Sequence, residues 1–390
     1  MWPLTDLDVP ALRTGGWRPT PIREVVLKVH QRCNLACDYC YVYTMADQSW
    51  RDRPRVIDRG TWLAAAERMA EHARAHDLPW MRLVLHGGEP LLMGAAGLGT
   101  LIGDFRAALG DVRLDVRMQT NGVLLDEAVL DVLRVHEVGI GVSLDGTAAD
   151  NDRHRRLPGG RGSFRAVDRA LRLLSGDPSF AGILCTVDPS TDPVACYETL
   201  VSYRPPMIDL LLPHANWVDP PGREAGPTPY ANWLISIFDR WYDAPRQPTA
   251  IRLFDDLIAL ALGGAGSSEQ AGLSPVAVLV VETDGAIEQA DSLKSAFPGA
   301  CDTGLSVMSD PFDAALEHPG VVARQIGLRA LAATCRTCPV RAICGGGHYA
   351  HRFHPETGFR SPSVYCPDML HLINHITGRV GADLRAHSIG

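Results

Sequence analysis

A chain of 390 residues in which 46% are hydrophobic can bury one large core or two ordinary ones. Its formal charge of -8 argues against nucleic acid as a partner, and no apolar run reaches the roughly eighteen residues of a membrane span, so no membrane partner is expected either. The start, Met1-Trp2-Pro3-Leu4-Thr5-Asp6-Leu7-Asp8, is acidic and interrupted by Pro3, unlike a secretory signal. The ten cysteines therefore point to metal ligation in a reducing compartment, with the cytoplasm as the expected location.

After an N-terminal extension at residues 1–23, short apolar runs alternate with longer amphipathic ones across residues 24–212. The expected strands are Val25–Val29, Leu83–Leu85, Leu114–Met118, Ile140–Leu144, Ile183–Val187 and Met207–Leu212, with helices between them. Six βα repeats predict an α/β fold in which right-handed crossovers curl a parallel sheet into a barrel or part of one. Functional groups then belong at the C-terminal ends of the strands. The loop carrying Cys33, Cys37 and Cys40 falls there, as do Gly87-Gly88-Glu89-Pro90, Gln119-Thr120-Asn121-Gly122 and Ser143-Leu144-Asp145-Gly146. Residues 213–275 read as a helical bridge with helices near Tyr230–Tyr242 and Ile251–Leu262. Residues 276–390 open on a β-hairpin, Val276–Glu282 and Ile287–Ala290 about Asp284-Gly285, and continue as a small loop-rich domain with four more cysteines.

Three thiolates spaced four and then three apart, directly after an apolar strand, can hold three irons of a four-iron cluster and leave the fourth open. Zinc wants four ligands, usually with CxxC pairs, and the triplet does not supply them. The run Cys33-Asn34-Leu35-Ala36-Cys37-Asp38-Tyr39-Cys40 resembles the CxxxCxxC signature of the radical S-adenosylmethionine (SAM) enzymes. The resemblance implies a partial (β/α)6 barrel and a 4Fe-4S cluster whose open iron is chelated by SAM, which is reduced and split to give a 5'-deoxyadenosyl radical. An electron donor such as flavodoxin or ferredoxin is implied as a partner. Gly87, Gly88 and Glu89 match the family's GGEP motif, whose backbone and glutamate hold the methionine amino group. By the same resemblance Ser143 and Arg155 contact the SAM ribose or carboxylate, and Tyr39 and Leu184 pack near the adenine. His86 stands where several relatives carry glutamine and reads as a packed or solvated histidine. Cys185 and Cys196 have no ligand-like spacing and read as buried small hydrophobes.

Cys335, Cys338, Cys344 and Cys366 can enclose a metal completely, and zinc and a four-iron cluster are both chemically acceptable there. The CxxCxxxxxC spacing with a distant fourth cysteine resembles the outer auxiliary site of SPASM domains, which implies a SPASM-like domain and an auxiliary 4Fe-4S cluster. A full SPASM domain carries a second auxiliary cluster. At two of its ligand positions this chain has His348 and Ala290, and Cys301 alone is too little for a second site, so one auxiliary cluster is expected. For His348 three roles stay open: lining the active site, bonding a cluster sulfur, or a structural one. Asp291, at the hairpin end, matches an aspartate that takes a proton during oxidation in similar maturases; Asp302 and Glu282 are weaker candidates.

Trp17-Arg18-Pro19-Thr20-Pro21, the extended cysteine loop through Trp50-Arg51, and Gly345-Gly346-Gly347-His348-Tyr349-Ala350-His351-Arg352 resemble FxsB-type maturases. The resemblance implies a precursor peptide as substrate and a three-residue cyclophane as product, formed by joining an aromatic ring carbon to a β-carbon. With the barrel starting so early, no separate leader-recognition domain is expected before it. Thioether formation, epimerisation or oxidation of a serine or cysteine would use the same SAM residues. A zinc-binding peptide scaffold would cleave no SAM.

Overall fold

The computed structural model describes residues 1–388 as one ten-stranded sheet covered by helices. Six parallel strands follow the expected order: β1 (Glu24–His30), β2 (Trp80–Gly87), β3 (Arg113–Thr120), β4 (Gly139–Ser143), β5 (Phe180–Thr186) and β6 (Met207–Leu211). Each lies within a few residues of its sequence-based range. The short β7 (Ala250–Ile251) adds a parallel edge beside β6. On the other side, β8 (Val278–Val281) pairs parallel with β1, and β9 (Ala286–Glu288) and β10 (Asp302–Ser306) continue antiparallel. The expected hairpin therefore forms, and it also extends the barrel sheet.

Burial alternates along β2, with Met81, Leu83 and Leu85 fully buried while Arg82, Val84 and His86 stay partly open. That period of two sends one face to the covering helices and the other to the barrel interior. Helices at Arg59–Ala75 and Ala95–Leu109 cover the first face with Ala65, Ala66, Met69, Leu98, Leu101 and Phe105. The interior holds a polar layer instead. Arg82 donates to Asp115 at 2.8 Å and reaches Glu24 at 3.4 Å, and Arg117 donates to Asp115 at 2.9 Å. Gly139 and Gly141 leave room for this layer, because a Cβ on either would overlap Arg117 or Gln119.

The core does not respect divisions along the sequence. The helix Cys366–Ser388 packs Leu372, Ile373 and Ile376 into the main core against Pro229–Tyr242 of the bridge. A second cluster joins Trp2 and Val9 of the N-terminal extension to Leu293, Val322, Phe353 and Phe359. Contacts at both ends of the chain thus hold the loop-rich region to the sheet.

Candidate active site

Strands β1 to β6 all deliver residues to one cavity of about 290 Å³ at their C-terminal ends. Its wall includes Cys33, Cys37 and Cys40 after β1, Gly87 to Glu89 after β2, Asn121 after β3 and Asp145 after β4, with Leu184, Thr186 and His214 from β5 and beyond β6. Every residue expected to touch SAM lies on this wall: Tyr39, Gly87, Gly88, Glu89, Ser143, Arg155 and Leu184.

The glycines serve the cysteine loop. A Cβ on Gly87 would overlap the His30 carbonyl, and one on Gly88 would overlap Arg32 and the Tyr43 hydroxyl. Gly88 N donates to His30 O at 2.8 Å and Glu89 N to Arg32 O at 3.1 Å, so the two segments are bonded backbone to backbone. Gly87 has φ +149°, which an L side chain rarely adopts. The missing side chains thus let this loop approach the segment that carries the cysteines while it also lines the cavity.

Glu89 is fully buried and already engaged. Its carboxylate accepts from Leu91 N at 3.0 Å, Thr120 Oγ1 at 2.6 Å and Asn121 N at 2.8 Å. Burial raises its pKa despite these bonds. Asn121 in turn donates to Asn34 Oδ1 at 2.7 Å and lies 3.6 Å from Cys33 Sγ, linking β3 to the cysteine loop. Burial pushes the Cys33 thiol up to about 12 and the Cys37 thiol up to about 11, so only a bound cation would hold them as thiolates at neutral pH.

Tyr39, Asp145 and Arg155 form a chain. The Tyr39 hydroxyl donates to Asp145, Arg155 Nη1 donates to the Tyr39 oxygen at 2.9 Å, and Thr186 N donates to Asp145 Oδ1 at 2.9 Å. Burial alone would depress the Arg155 pKa, but Tyr39 and Asp145 outweigh it and keep the guanidinium charged. Its Nε is buried without a partner, which fits a carboxylate in this cavity. Gln119, Asn121 and Asp145, placed at strand ends by the sequence but given no role, also line the cavity, and the Gln119 amide donates to Ser143 Oγ at 2.9 Å; Thr186 is the wall residue the sequence did not single out.

Asp291 does not line the cavity. It forms an ion pair with the buried Lys28, its Oδ1 lacks a partner, and its Oδ2 lies 3.8 Å from His86 Nδ1. His86, expected to be merely packed or solvated, lines the cavity and meets Lys28 Nζ at 3.1 Å. Burial and the Lys28 charge push its pKa down to about 4, so it is neutral. Glu282 is taken up by Lys294 at 2.7 Å, Gln31 at 2.7 Å and Arg53 at 3.2 Å, and Asp302 is exposed, which leaves neither at the cavity.

Cys335, Cys338, Cys344 and Cys366 converge on a second, small cavity walled by Val340 and Leu370. Four sulfurs in an apolar pocket fit a closed metal or cluster site. The neighbouring glycines all have positive φ, and Arg352 ties their loop together by donating to Gly345 O at 2.8 Å and Gly347 O at 3.1 Å. Cys185 and Cys196 are buried, as expected, with sulfurs 3.8 Å apart.

A parallel-strand barrel with a cysteine triplet, a charged arginine and a glycine-shaped loop around one cavity fits an enzyme that holds an iron–sulfur cluster beside a small molecule bearing a carboxylate. Residues 27–176 match the Radical SAM superfamily model. The chain is 26% identical over 281 residues to the cysteine-type anaerobic sulfatase-maturating enzyme of Clostridium perfringens (strain 13 / Type A), covering 70% of this chain and 74% of that one. It is 26% identical over 349 residues to the serine-type enzyme of Klebsiella aerogenes, covering 85% and 81%. In fold it resembles native anSMEcpe with bound AdoMet and the Cp18Cys peptide, with a TM-score of 0.79, 21% identity and coverage of 94% and 99%. It also resembles Streptococcus suis SuiB bound to precursor peptide SuiA, with a TM-score of 0.58, 13% identity and coverage of 92% and 78%. The chain is a radical SAM oxidoreductase, similar to anaerobic sulfatase-maturating enzymes, and SAM and four-iron clusters are its cofactors.

Proposed function

We propose that this enzyme modifies a ribosomally made precursor peptide by installing a carbon–carbon crosslink, a three-residue cyclophane between an aromatic ring carbon and a β-carbon. Cys33, Cys37 and Cys40 would hold the SAM-binding cluster, and Cys335, Cys338, Cys344 and Cys366 one auxiliary cluster. Bound there, these groups supply a 5'-deoxyadenosyl radical and an acceptor for one electron. The peptide loses one hydrogen atom to the radical, then one proton and one electron after the ring is attacked, so the product is lighter by two hydrogens.

The chain's own residues do the rest. Arg155 and the Glu89 loop fix SAM, with Tyr39 and Leu184 beside the adenine and Ser143 at the ribose. Apolar walls at Leu35, Leu211 and Leu212 exclude water. The single observation that carries the reading is the unpartnered, buried Oδ1 of Asp291 behind His86, a proton acceptor set back from the cavity wall. His86 lines the cavity and Asp291 does not, and Lys28 contacts both. The similarity to sulfatase-maturating enzymes favours a second reading, oxidation of a serine or cysteine in a protein. His348 and Ala290 at two auxiliary-ligand positions count against it.

Co-expression with candidate precursor peptides encoded by any short open reading frame that neighbours the gene, followed by tandem mass spectrometry, tests the proposal. The expected product lacks two hydrogens and fragments as a ring-to-β-carbon crosslink. An unmodified peptide with SAM-cleaving enzyme, or oxidation at one side chain without a crosslink, would overturn it.

A further inference from the structure

A second cavity of about 240 Å³ adjoins the first, and Tyr41, Leu211, Leu212 and His214 line both. Where they meet, three imidazoles face one another. The ring centroids of His214 and His348 are 5.6 Å apart, those of His214 and His351 5.8 Å, and those of His348 and His351 4.9 Å. One ligand atom from each lies within 4.8 Å of the others. The three come from separate causes. His214 follows the end of β6, while His348 and His351 lie three apart on the turn at Tyr349–Arg352, which the positive-φ glycines and Arg352 hold in place.

The nitrogens are not spent on the protein. His351 is 3% exposed and its Nε2 has no partner; His214 Nδ1 is also buried without one. His348 Nδ1 accepts from Ala350 N over a long 3.3 Å, a contact the turn releases when Nε2, 3.9 Å from Glu269 Oε2, gives up its proton and binds a metal as neutral imidazole. A purely structural histidine cluster would normally pair such buried atoms. Around the cluster stand Arg324, neutralised by Glu269 at 2.6 and 2.7 Å, and Arg352, occupied with carbonyls. Asp209 and Arg252 face the same cavity and pair with each other at 3.0 Å.

We propose that His214, His348 and His351 bind one divalent transition-metal ion of the zinc class. Imidazole nitrogens suit zinc, and bonds of about 2.0–2.1 Å place three of them roughly 3.3 Å apart, so the rings need to close by roughly 1.5 Å. Three protein ligands leave a fourth position. Because His214 lines both cavities, that position faces open space, the pattern of a site that takes water or a substrate donor atom. Glu269 Oε2, paired with Arg324, lies 3.9 Å from His348 Nε2 and places a negative charge beside the ion. The proposal is independent of the crosslinking reaction.

The test uses holoenzyme with its clusters assembled, loaded with Zn²⁺ and freed of excess metal by gel filtration. Zinc K-edge X-ray absorption is expected to show nitrogen scatterers near about 2.0 Å with imidazole multiple scattering. Zinc is expected at about one ion per chain, falling at least tenfold in His348→Gln and His351→Gln with iron content unchanged. Sulfur scatterers near about 2.3 Å, no retained zinc, or equal zinc in wild type and both variants would overturn it. The absorption spectrum of the wild-type protein decides the case even if a variant does not fold.

Discussion

The SAM cavity and the C-terminal cysteine pocket hold metal-ligand residues in opposite ways. Around the first, the functional side chains stand on the segments that leave six neighbouring strands, so the hydrogen-bonded sheet sets the spacing of those segments. Around the second, the four cysteines lie on short helices and turns, held by positive-φ glycines and one arginine fork. Rigidity in the first comes from the sheet and survives loss of any one ligand. In the second, the bound group itself supplies much of the order. Between them, the Lys28–Asp291 pair links the β1 strand to the hairpin end and joins the two regions.

That joint is the place to break the comparison with the largest effect on stability. Lys28 is 1% exposed, so Lys28→Met leaves Asp291 as an uncompensated buried charge and is expected to cost about 3–5 kcal/mol, read as a lower denaturation midpoint. A Lys28→Met, Asp291→Asn double variant should recover most of the loss. Within the cavity, Arg155→Lys cannot reproduce the fork to Tyr39 and the free Nε. It is expected to cost about 1.5–3 kcal/mol of SAM binding, a roughly ten- to hundredfold weaker affinity by equilibrium dialysis. The Lys28→Met variant, by contrast, should lose stability before it loses SAM affinity.

The smallest effect is a pH dependence. His86 has a native pKa of about 4 against 6.5 for the free side chain. Above 6.5 it is neutral in both states and its contribution is fully present. As pH falls from 6.5 towards 4 only the unfolded chain takes up the proton, so stability is lost across that window. About a quarter of the side chain opens onto the cavity, so the loss by pH 5 is expected at about 1–2 kcal/mol. His86→Gln should show a shallower fall over the same range.

Much of the first region was legible because its signals are local. Apolar runs marked all six strands, and the cysteine triplet, Gly87-Gly88-Glu89 and Ser143 converge as their positions at strand ends implied; Arg155, expected there from the family resemblance alone, reaches the cavity from the end of the helix Ala148–His154. Contacts made across elements were not. Nothing local announces that Asn121 links β3 to the cysteine loop, that Asp145 accepts from Tyr39, or that Lys28 is the counterion of Asp291. The hairpin at 278–288 was legible as a hairpin. Its parallel docking on β1 was hidden, because a strand's pattern does not name its neighbour. The Gly345 to Arg352 string carried a family resemblance whose physical content, a glycine loop tied by an arginine and presenting two histidines, only the fold reveals.

The central claim is a division of labour: radical generation belongs to the strand-end cavity and completion of the oxidation to the C-terminal pocket. The most direct test measures 5'-deoxyadenosine and crosslinked peptide together in Cys37→Ala and Cys338→Ala enzymes. The account predicts that Cys37→Ala abolishes both, whereas Cys338→Ala still forms 5'-deoxyadenosine but little crosslinked product. Full crosslinking by Cys338→Ala, or 5'-deoxyadenosine formation by Cys37→Ala, would contradict it.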